Sequence, residues 1–327
     1  MDPTAAVLPE SHTRMPKGSA RLPRKGRLFD LFFTKATLLA GWGTVALLVW
    51  ITLQIGYAAW PAFMQYHFGF IVGRVWNPVT DTYGALPVIY GTLVSAALAL
   101  LIATPLGVAI AVVLTEEYLP PVVQDFFKFA VELLAAIPSV IYGLWGLTVI
   151  IPITNVLGSW LHANFGWCPL FSTASPGPSL FPASFVLAIM VLPTIAALSR
   201  AALKATPAAT KEGALALGAT RWEVIAQISL PMASTGIVGA TVLALGRAMG
   251  ETMALAMLVG NKSQISASLF DPANTIASLL ANSFGEANDL QLSALMYLSF
   301  ILMVLTLAIN AAAEWVLDYT GASQRYV

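Results

Sequence analysis

Six stretches of the chain are apolar for about as long as a membrane is thick: residues 38–59, 88–114, 127–153, 182–199, 235–260 and 292–317. A bilayer core of roughly 30 Å takes about 20 apolar residues in helical form. Lipid offers backbone amides and carbonyls no partners, so each stretch is either helical or part of a closed barrel. The runs are continuous rather than alternating, which selects helices. The pattern predicts an all-α membrane protein with six transmembrane helices. Around them, residues 1–36 read as a mobile basic tail with four prolines. Residues 37–82 read as the first span and its outer loop, 83–317 as the main transmembrane domain and 318–327 as a second tail. The first apolar stretch is too long for the core of a cleaved leader, so it is expected to stay as a span. Trp60, Trp76, Trp315 and Tyr319 near span ends read as interfacial anchors.

Composition sharpens this picture. Of 327 residues, 58% are hydrophobic and 10% charged, against about 25% charged in an ordinary soluble protein. Mean hydropathy is +0.78. So few charges do not cover a soluble globule of this size. Lysine plus arginine and aspartate plus glutamate number 16 each, a net charge of zero, which argues against nucleic acid as a partner. Placement carries more than the sum. With the N-terminus inside, thirteen basic residues fall in inner segments, Arg74 and Lys262 in outer loops, and Arg247 within a span. That asymmetry predicts that both termini are cytoplasmic.

No catalytic centre is visible. Cys168 is the single cysteine, and His12, His67 and His162 match no metal spacing. The string Gly260-Asn261-Lys262-Ser263 lacks the upstream glycine of a phosphate loop. Neither a cofactor nor a metal is expected, and ATP hydrolysis would belong to another chain.

Three spans contain proline: Pro105, Pro138 and Pro193. Each removes a backbone donor. They are expected to break their helices, as in transporters whose broken helices line a substrate path; an ordinary kink is the alternative. The loop from 199 to 231 is the most ordered-looking polar segment. Thr206-Pro207 reads as N-cap and first helical residue, Ala208 to Leu217 as a helix, and Gly218 as its left-handed terminus. Thr220 and Glu223 fit a capping box. Val224 to Ser229 then reads as a second short helix, ended by Leu230-Pro231. Such a pair suits the groove of a partner protein or the lipid surface.

The fifth span holds Arg247 and Glu251, four residues apart and therefore expected on one helical face. Each costs about 2.5–3.5 kcal/mol near the bilayer centre. Their order is also the less favourable one for a helical pair. One reading is that Arg247 binds a passing anion through its two-pronged guanidinium while Glu251 holds or balances it. The other is a buried ion pair fixing helix contacts. Gly246, Gly250 and Ala254 are expected to allow close helix packing beside them. Glu132 reads as interfacial.

Glu212-Gly213-Ala214, Gly218 and Ile228-Ser229-Leu230-Pro231 stand at the intervals of the EAA signature of ABC-importer permeases, with Gly213 where alanine is usual. Together with Tyr83-Gly84-Ala85-Leu86, Tyr90-Gly91-Thr92-Leu93, Glu132 through Gly146, Gly246 through Asn261, and Ser266 through Leu269, they make residues 83–316 resemble the permease subunits of bacterial phosphate-specific ABC importers. The resemblance excludes the N-terminal tail and is weak over 154–181. It implies the type I, MetI-like permease fold in the bacterial cytoplasmic membrane. It also implies a homologous sister permease, a dimer of ATP-binding subunits and an extracytoplasmic phosphate-binding protein. Phosphate would cross by alternating access. Arg247 and Glu251 match that family's intramembrane charged pair, with Ser139 and Thr252 beside it as substrate path. Glu212, Ala214, Gly218, Ile228, Leu230 and Pro231 match its coupling loop. Rival readings are a permease for sulfate, molybdate or another oxyanion, an ion-coupled secondary transporter, and a membrane enzyme using Glu251. A secondary transporter of this kind calls for internal inverted repeats, which the sequence does not show, and leaves the EAA spacing unexplained. An enzyme calls for a second catalytic constellation.

Overall fold

The structure is a computed structural model that describes residues 24–116, 120–174 and 177–319. Residues 1–23 and 320–327 of the expected tails lie outside the described residues. The remainder of the N-terminal tail is helical, because helix α1 (Arg24–Tyr66) starts directly after Pro23 and takes it in. Residues up to Leu53 and residues from Gln54 form two separate compact units. Within the first unit, α1 exposes Leu39, Trp42, Leu48 and Trp50, as a helix bathed in lipid does.

The second unit opens with a short helix α2 (Gly69–Val72) and a small hairpin, β1 (Trp76–Asn77) and β2 (Thr82–Tyr83), with Trp76 opposite Tyr83. Phe70 stacks on Tyr297 with ring centroids 4.6 Å apart, and Trp76 lies 4.8 Å from Tyr83. Trp76 is thus packed in an aromatic cluster. Burial, and then the hydrogen bond that Tyr83 donates to Asp81 at 3.1 Å, push the Tyr83 hydroxyl up to about 12.

The helices that follow are α3 (Leu86–Thr115), α4 (Pro121–Ala136), α5 (Ser139–Trp145), α6 (Ile151–Phe165), α7 (Leu180–Lys204), α8 (Ala208–Ala216), α9 (Arg221–Val224), α10 (Leu230–Met249), α11 (Met253–Leu258), α12 (Ile276–Ser283) and α13 (Asp289–Tyr319). A π-helical turn at Gly146–Ile150 joins α5 to α6, and another at Ile225–Ser229 joins α9 to α10. Six stretches among the described residues are long and apolar enough to cross a membrane: Phe32–Tyr66, Leu86–Thr115, Ser139–Phe165, Leu180–Lys204, Arg221–Met249 and Asp289–Trp315.

The number of spans is as the hydropathy predicts, but two are displaced. The third is 139–165 rather than 127–153, and the fifth is 221–249 rather than 235–260. In both places the apolar run continues while the backbone turns. Ile137 and Pro138 are extended, with ψ of 127° and 143°, so α4 stands as a separate helix. The first part of the loop expected at 154–181 is correspondingly the end of α6.

The core is built on α3 and α7. Ala96, Ala99, Ala103, Gly107 and Ala111 fall three or four residues apart and are all buried. A Cβ on Gly107 would stand 2.8 Å from the Ile195 Cγ2. In lipid there is no hydrophobic drive between helices, so close packing over small residues supplies the attraction. Pro105 and Pro193 sit inside these two helices, which run on through them. Each loses one backbone bond, and neither makes the expected break. Pro138 alone of the three stands at an interruption.

Proline also explains the two π turns. Pro152 and Pro231 each lie two residues beyond one. A proline in a helix has no amide to donate and crowds the carbonyl four residues back. A wider turn ahead of it relieves both problems while the helix continues. Pro231 therefore does not end a short helix at Ser229, as the sequence suggests; α9, the π turn and α10 form one rod.

Between α11 and α12 the chain is irregular yet its backbone is paired. Ala273 N donates to the Val259 carbonyl at 2.8 Å and Lys262 N to the Ala273 carbonyl at 3.1 Å. Phe181 N donates to the Leu269 carbonyl at 2.8 Å, and Leu269 N to the Leu170 carbonyl at 3.0 Å. This is the condition for irregular backbone at membrane depth. Tyr90, Gly91 and Thr92 of α3 all meet this segment. Tyr90 donates to the Ser266 carbonyl at 2.7 Å and Ile276 N donates to Thr92 Oγ1 at 2.9 Å. A Cβ on Gly91 would stand 2.0 Å from the Asn274 carbonyl oxygen.

Candidate functional site

Two helix interruptions are brought together by α5 and α11, the short helices that follow them. A Cβ on Gly143 of α5 would lie 2.7 Å from the Met257 Sδ and 3.3 Å from the Ala254 Cα of α11. This is the close packing that the sequence places at Gly246, Gly250 and Ala254, and of these Ala254 makes it. Gly246 itself has nothing within 4 Å of a Cβ, so among the described residues it serves no such contact.

Arg247 occupies the last turn of α10, and the helix ends at Met249. Gly250 N bonds to the Gly246 carbonyl at 3.3 Å and Glu251 N to the Ala248 carbonyl at 3.4 Å before the chain turns into α11. Arg247 and Glu251 therefore do not share a helical face, and no ion pair joins them. Glu251 Oε1 instead accepts from Ala254 N at 3.4 Å, and Thr252 Oγ1 donates to the Gly250 carbonyl at 3.2 Å. Each charge has a helix end of the favourable sign: the cation at the C-terminus of α10, the carboxylate ahead of α11. Arg247 is exposed at this helix end.

Across from Arg247 is Tyr142, which the sequence reading did not single out. Its hydroxyl donates to the Leu134 carbonyl at 2.8 Å, bridging the Pro138 interruption from α5 back to α4. The last carbonyls of a helix have no partner within it, and Tyr142 supplies one. Arg247 lies close enough for its charge to act on this phenol. Ser139, the first residue of α5, is three residues before Tyr142. The sequence signal was present: a hydroxyl-bearing aromatic one helical turn past a proline in an apolar span. Glu132 is exposed on α4.

The second candidate surface is the loop between the fourth and fifth spans. Helix α8 begins at Ala208 with Pro207 in the capping position, so Thr206 stands one residue too early to be its cap. Its end matches the expectation. Gly218 has φ of +92°, Gly218 N bonds to the Leu215 carbonyl at 3.0 Å and Ala219 N to the Ala214 carbonyl at 3.1 Å. This pair of bonds closes a helix through a left-handed residue. Thr220 and Glu223 form the capping box at the start of α9. The turn and the two helices enclose a groove of about 390 Å³ lined by Ala214, Leu217, Gly218 and Ile228 among others. Leu217 and Trp222 stand exposed beside it, and Glu212 and Pro231 are exposed as well, while Leu230 is half-buried. Lys211 turns away from this surface and pairs with Glu116 at the end of α3, at 2.6 Å.

Among the described residues no three histidine, cysteine or acidic side chains are placed to hold a metal ion.

Comparison with known proteins gives these features a context. The family described as "Binding-protein-dependent transport system inner membrane component" matches residues 103–325. The chain is 41% identical to the phosphate transport system permease protein PstC of Mesorhizobium japonicum, over 90% of this chain and 91% of that one. It is 40% identical to PstC of Xylella fastidiosa strain Temecula1, over 96% and 97%. PstC 2 of Mycobacterium tuberculosis is 36% identical, over 89% and 92%. Among solved structures, a chain of a bacterial alginate ABC transporter superposes with a TM-score of 0.60 at 19% identity, covering 90% of this chain and 97% of its own. A chain of the inward-facing MetNI methionine ABC transporter gives 0.51 at 21% identity, covering 72% and 94%. At such identities the two structures show the fold, which is that of an ABC-importer permease. With six apolar helices, the chain is a multi-pass protein of the cytoplasmic membrane and a transport component rather than an enzyme. It belongs to the family of binding-protein-dependent transport system inner membrane components.

Proposed function

We propose that this chain is a permease subunit of an ATP-driven importer of inorganic phosphate. It pairs with a homologous sister permease, receives phosphate from an extracytoplasmic binding protein and is driven by a dimer of ATP-binding subunits. Both termini face the cytoplasm, which puts the Ala208–Ser229 loop on the side of those subunits. The observation that carries the reading is Arg247: an arginine in an apolar span, at a helix end, beside a second interrupted helix and without a carboxylate partner among the described residues. A guanidinium with no carboxylate partner among the described residues suits an anion that needs two parallel hydrogen bonds. The path has Ser139 and Thr252 at the two interruptions, with Glu251 limiting how firmly an anion stays. Ser139 opens the long helix of the third span, and helix N-termini favour anions.

The test is uptake of labelled phosphate into vesicles bearing the complete importer. Arg247→Gln is expected to abolish uptake while the subunits still assemble. Uptake at the unmodified rate would sink the path assignment. Parallel assays with sulfate and molybdate separate phosphate from its nearest rivals: transport of either in place of phosphate would overturn the substrate.

A further inference from the structure

The Lys211–Glu116 pair sits in an unexpected place for two charges. Glu116 caps the C-terminus of α3, the negative end of that helix. Lys211 is in the N-terminal half of α8, toward its positive end. Neither charge helps its own helix. Each nevertheless keeps its place, with the Lys211 Nζ 2.6 Å from Glu116 Oε1 and the side chains 20% and 17% exposed. Screening by salt is weaker for such a pair than for a surface one. The same Oε1 also accepts from Ser229 Oγ at 3.4 Å. Ser229 is fully buried and is the last residue of the π turn that leads into α10. One carboxylate therefore joins the end of the second span, helix α8 and the base of the fifth span. Beside it, Ala111 and Val112 of α3 pack with Leu203 of α7, Ile225 of the π turn and Ala233 of α10.

We infer that Glu116 is a positioning residue through which α8, acting as the coupling helix, moves the second and fifth spans as one body. The inference rests on the coupling role that the family resemblance implies for the 206–231 loop. A push on α8 would otherwise be taken up by the Thr206-Pro207 connection and the Gly218 turn. The Lys211–Glu116–Ser229 junction bypasses both by linking α8 laterally to α3 and to α10, whose far end carries Arg247.

The experiment uses the complete reconstituted importer and reads ATP hydrolysed per phosphate imported. Glu116→Gln and Lys211→Met are each expected to raise that ratio roughly twofold to thirtyfold, the range of mutations along a coupling route. The double exchange Glu116→Lys with Lys211→Glu is expected to bring the ratio back, since it restores the attraction and places each charge at the favourable helix end. A merely structural role would alter yield or melting temperature and leave the ratio alone. Should Glu116→Gln fail to assemble, Lys211→Met, which keeps the carboxylate on Ser229, decides the matter. Normal coupling in both single variants while Gly218→Val uncouples would overturn this inference and leave the coupling loop standing. Normal coupling in all three would overturn the coupling-loop reading itself.

Discussion

Gly143 and Ala254 hold two interrupted helices against each other, with room for a Cβ on Gly143 only 3.3 Å from the Ala254 Cα and 2.7 Å from the Met257 Sδ. A methionine end can move; a backbone Cα cannot without shifting α11. Gly143→Val is therefore expected to cost about 1–3 kcal/mol, the usual penalty for overpacking, and to cut phosphate uptake. Fluorescence-detected melting in detergent measures the first effect and vesicle uptake the second. An unchanged melting temperature would show that α5 and α11 have slack between them.

Tyr142 serves as the bridge over the Pro138 interruption. Tyr142→Phe keeps the buried ring and removes the hydroxyl that the Leu134 carbonyl accepts. An orphaned carbonyl costs about 1–3 kcal/mol. The variant is expected to assemble and to transport more slowly, with Leu134 and its neighbours gaining amide-exchange rate. Equal exchange at α4 in the two proteins would remove the bridging role.

At Gly218 the constraint is conformational, because φ is +92° and nothing lies within 4 Å of a Cβ. Asparagine visits left-handed conformations, whereas a β-branched residue is a clear outlier there. Gly218→Asn is expected to couple ATP hydrolysis to transport nearly as well as glycine. Gly218→Val is expected to raise ATP consumed per phosphate. Identical ratios for the two variants would remove the turn from the coupling route.

Gly91 is constrained by space instead. A Cβ there would stand 2.0 Å from the Asn274 carbonyl oxygen, and that oxygen belongs to backbone that has no freedom to retreat. Gly91→Ala is expected to fall short of normal membrane levels, by more than the 1–3 kcal/mol or so typical of overpacking. Quantitative immunoblotting of membranes at two growth temperatures checks it, with the larger deficit at the higher one.

Much of this was legible in the residues, and the failures have a common cause. The number of spans, the left-handed Gly218 and the Thr220–Glu223 cap are local or compositional, and the chain adopts them. Span ends at 139 and 249 were not legible, since hydropathy has no way to mark a turn whose two sides are equally apolar. Spacing alone put Arg247 and Glu251 on one face, but the helix stops at Met249 between them. The glycine at 246 reads as a packing step and meets nothing, while Ala254 packs on Gly143 and the buried run from Ala96 to Ala111 is mostly alanine and reads as ordinary span. Pro105 and Pro193 break nothing because the helices around them hold the chain straight. Glu116 depends on partners about a hundred residues away and carries no local signature, whereas Tyr142, one helical turn past Pro138, carries one that hydropathy does not weigh.

The π turn at Ile225–Ser229 has a geometric meaning beyond accommodating Pro231. A wide turn is one residue of surplus in a rod that otherwise advances 3.6 residues per revolution, so it offsets everything beyond it by about 100° of azimuth. The capped start of α9 and the arginine near the far end of α10 are carried on this one rod. Their relative bearing is thus set by a single inserted residue. Removing one residue from the turn would leave composition, hydropathy and span length almost untouched, yet would swing the groove beside Gly218 through more than a quarter of a circle relative to Arg247.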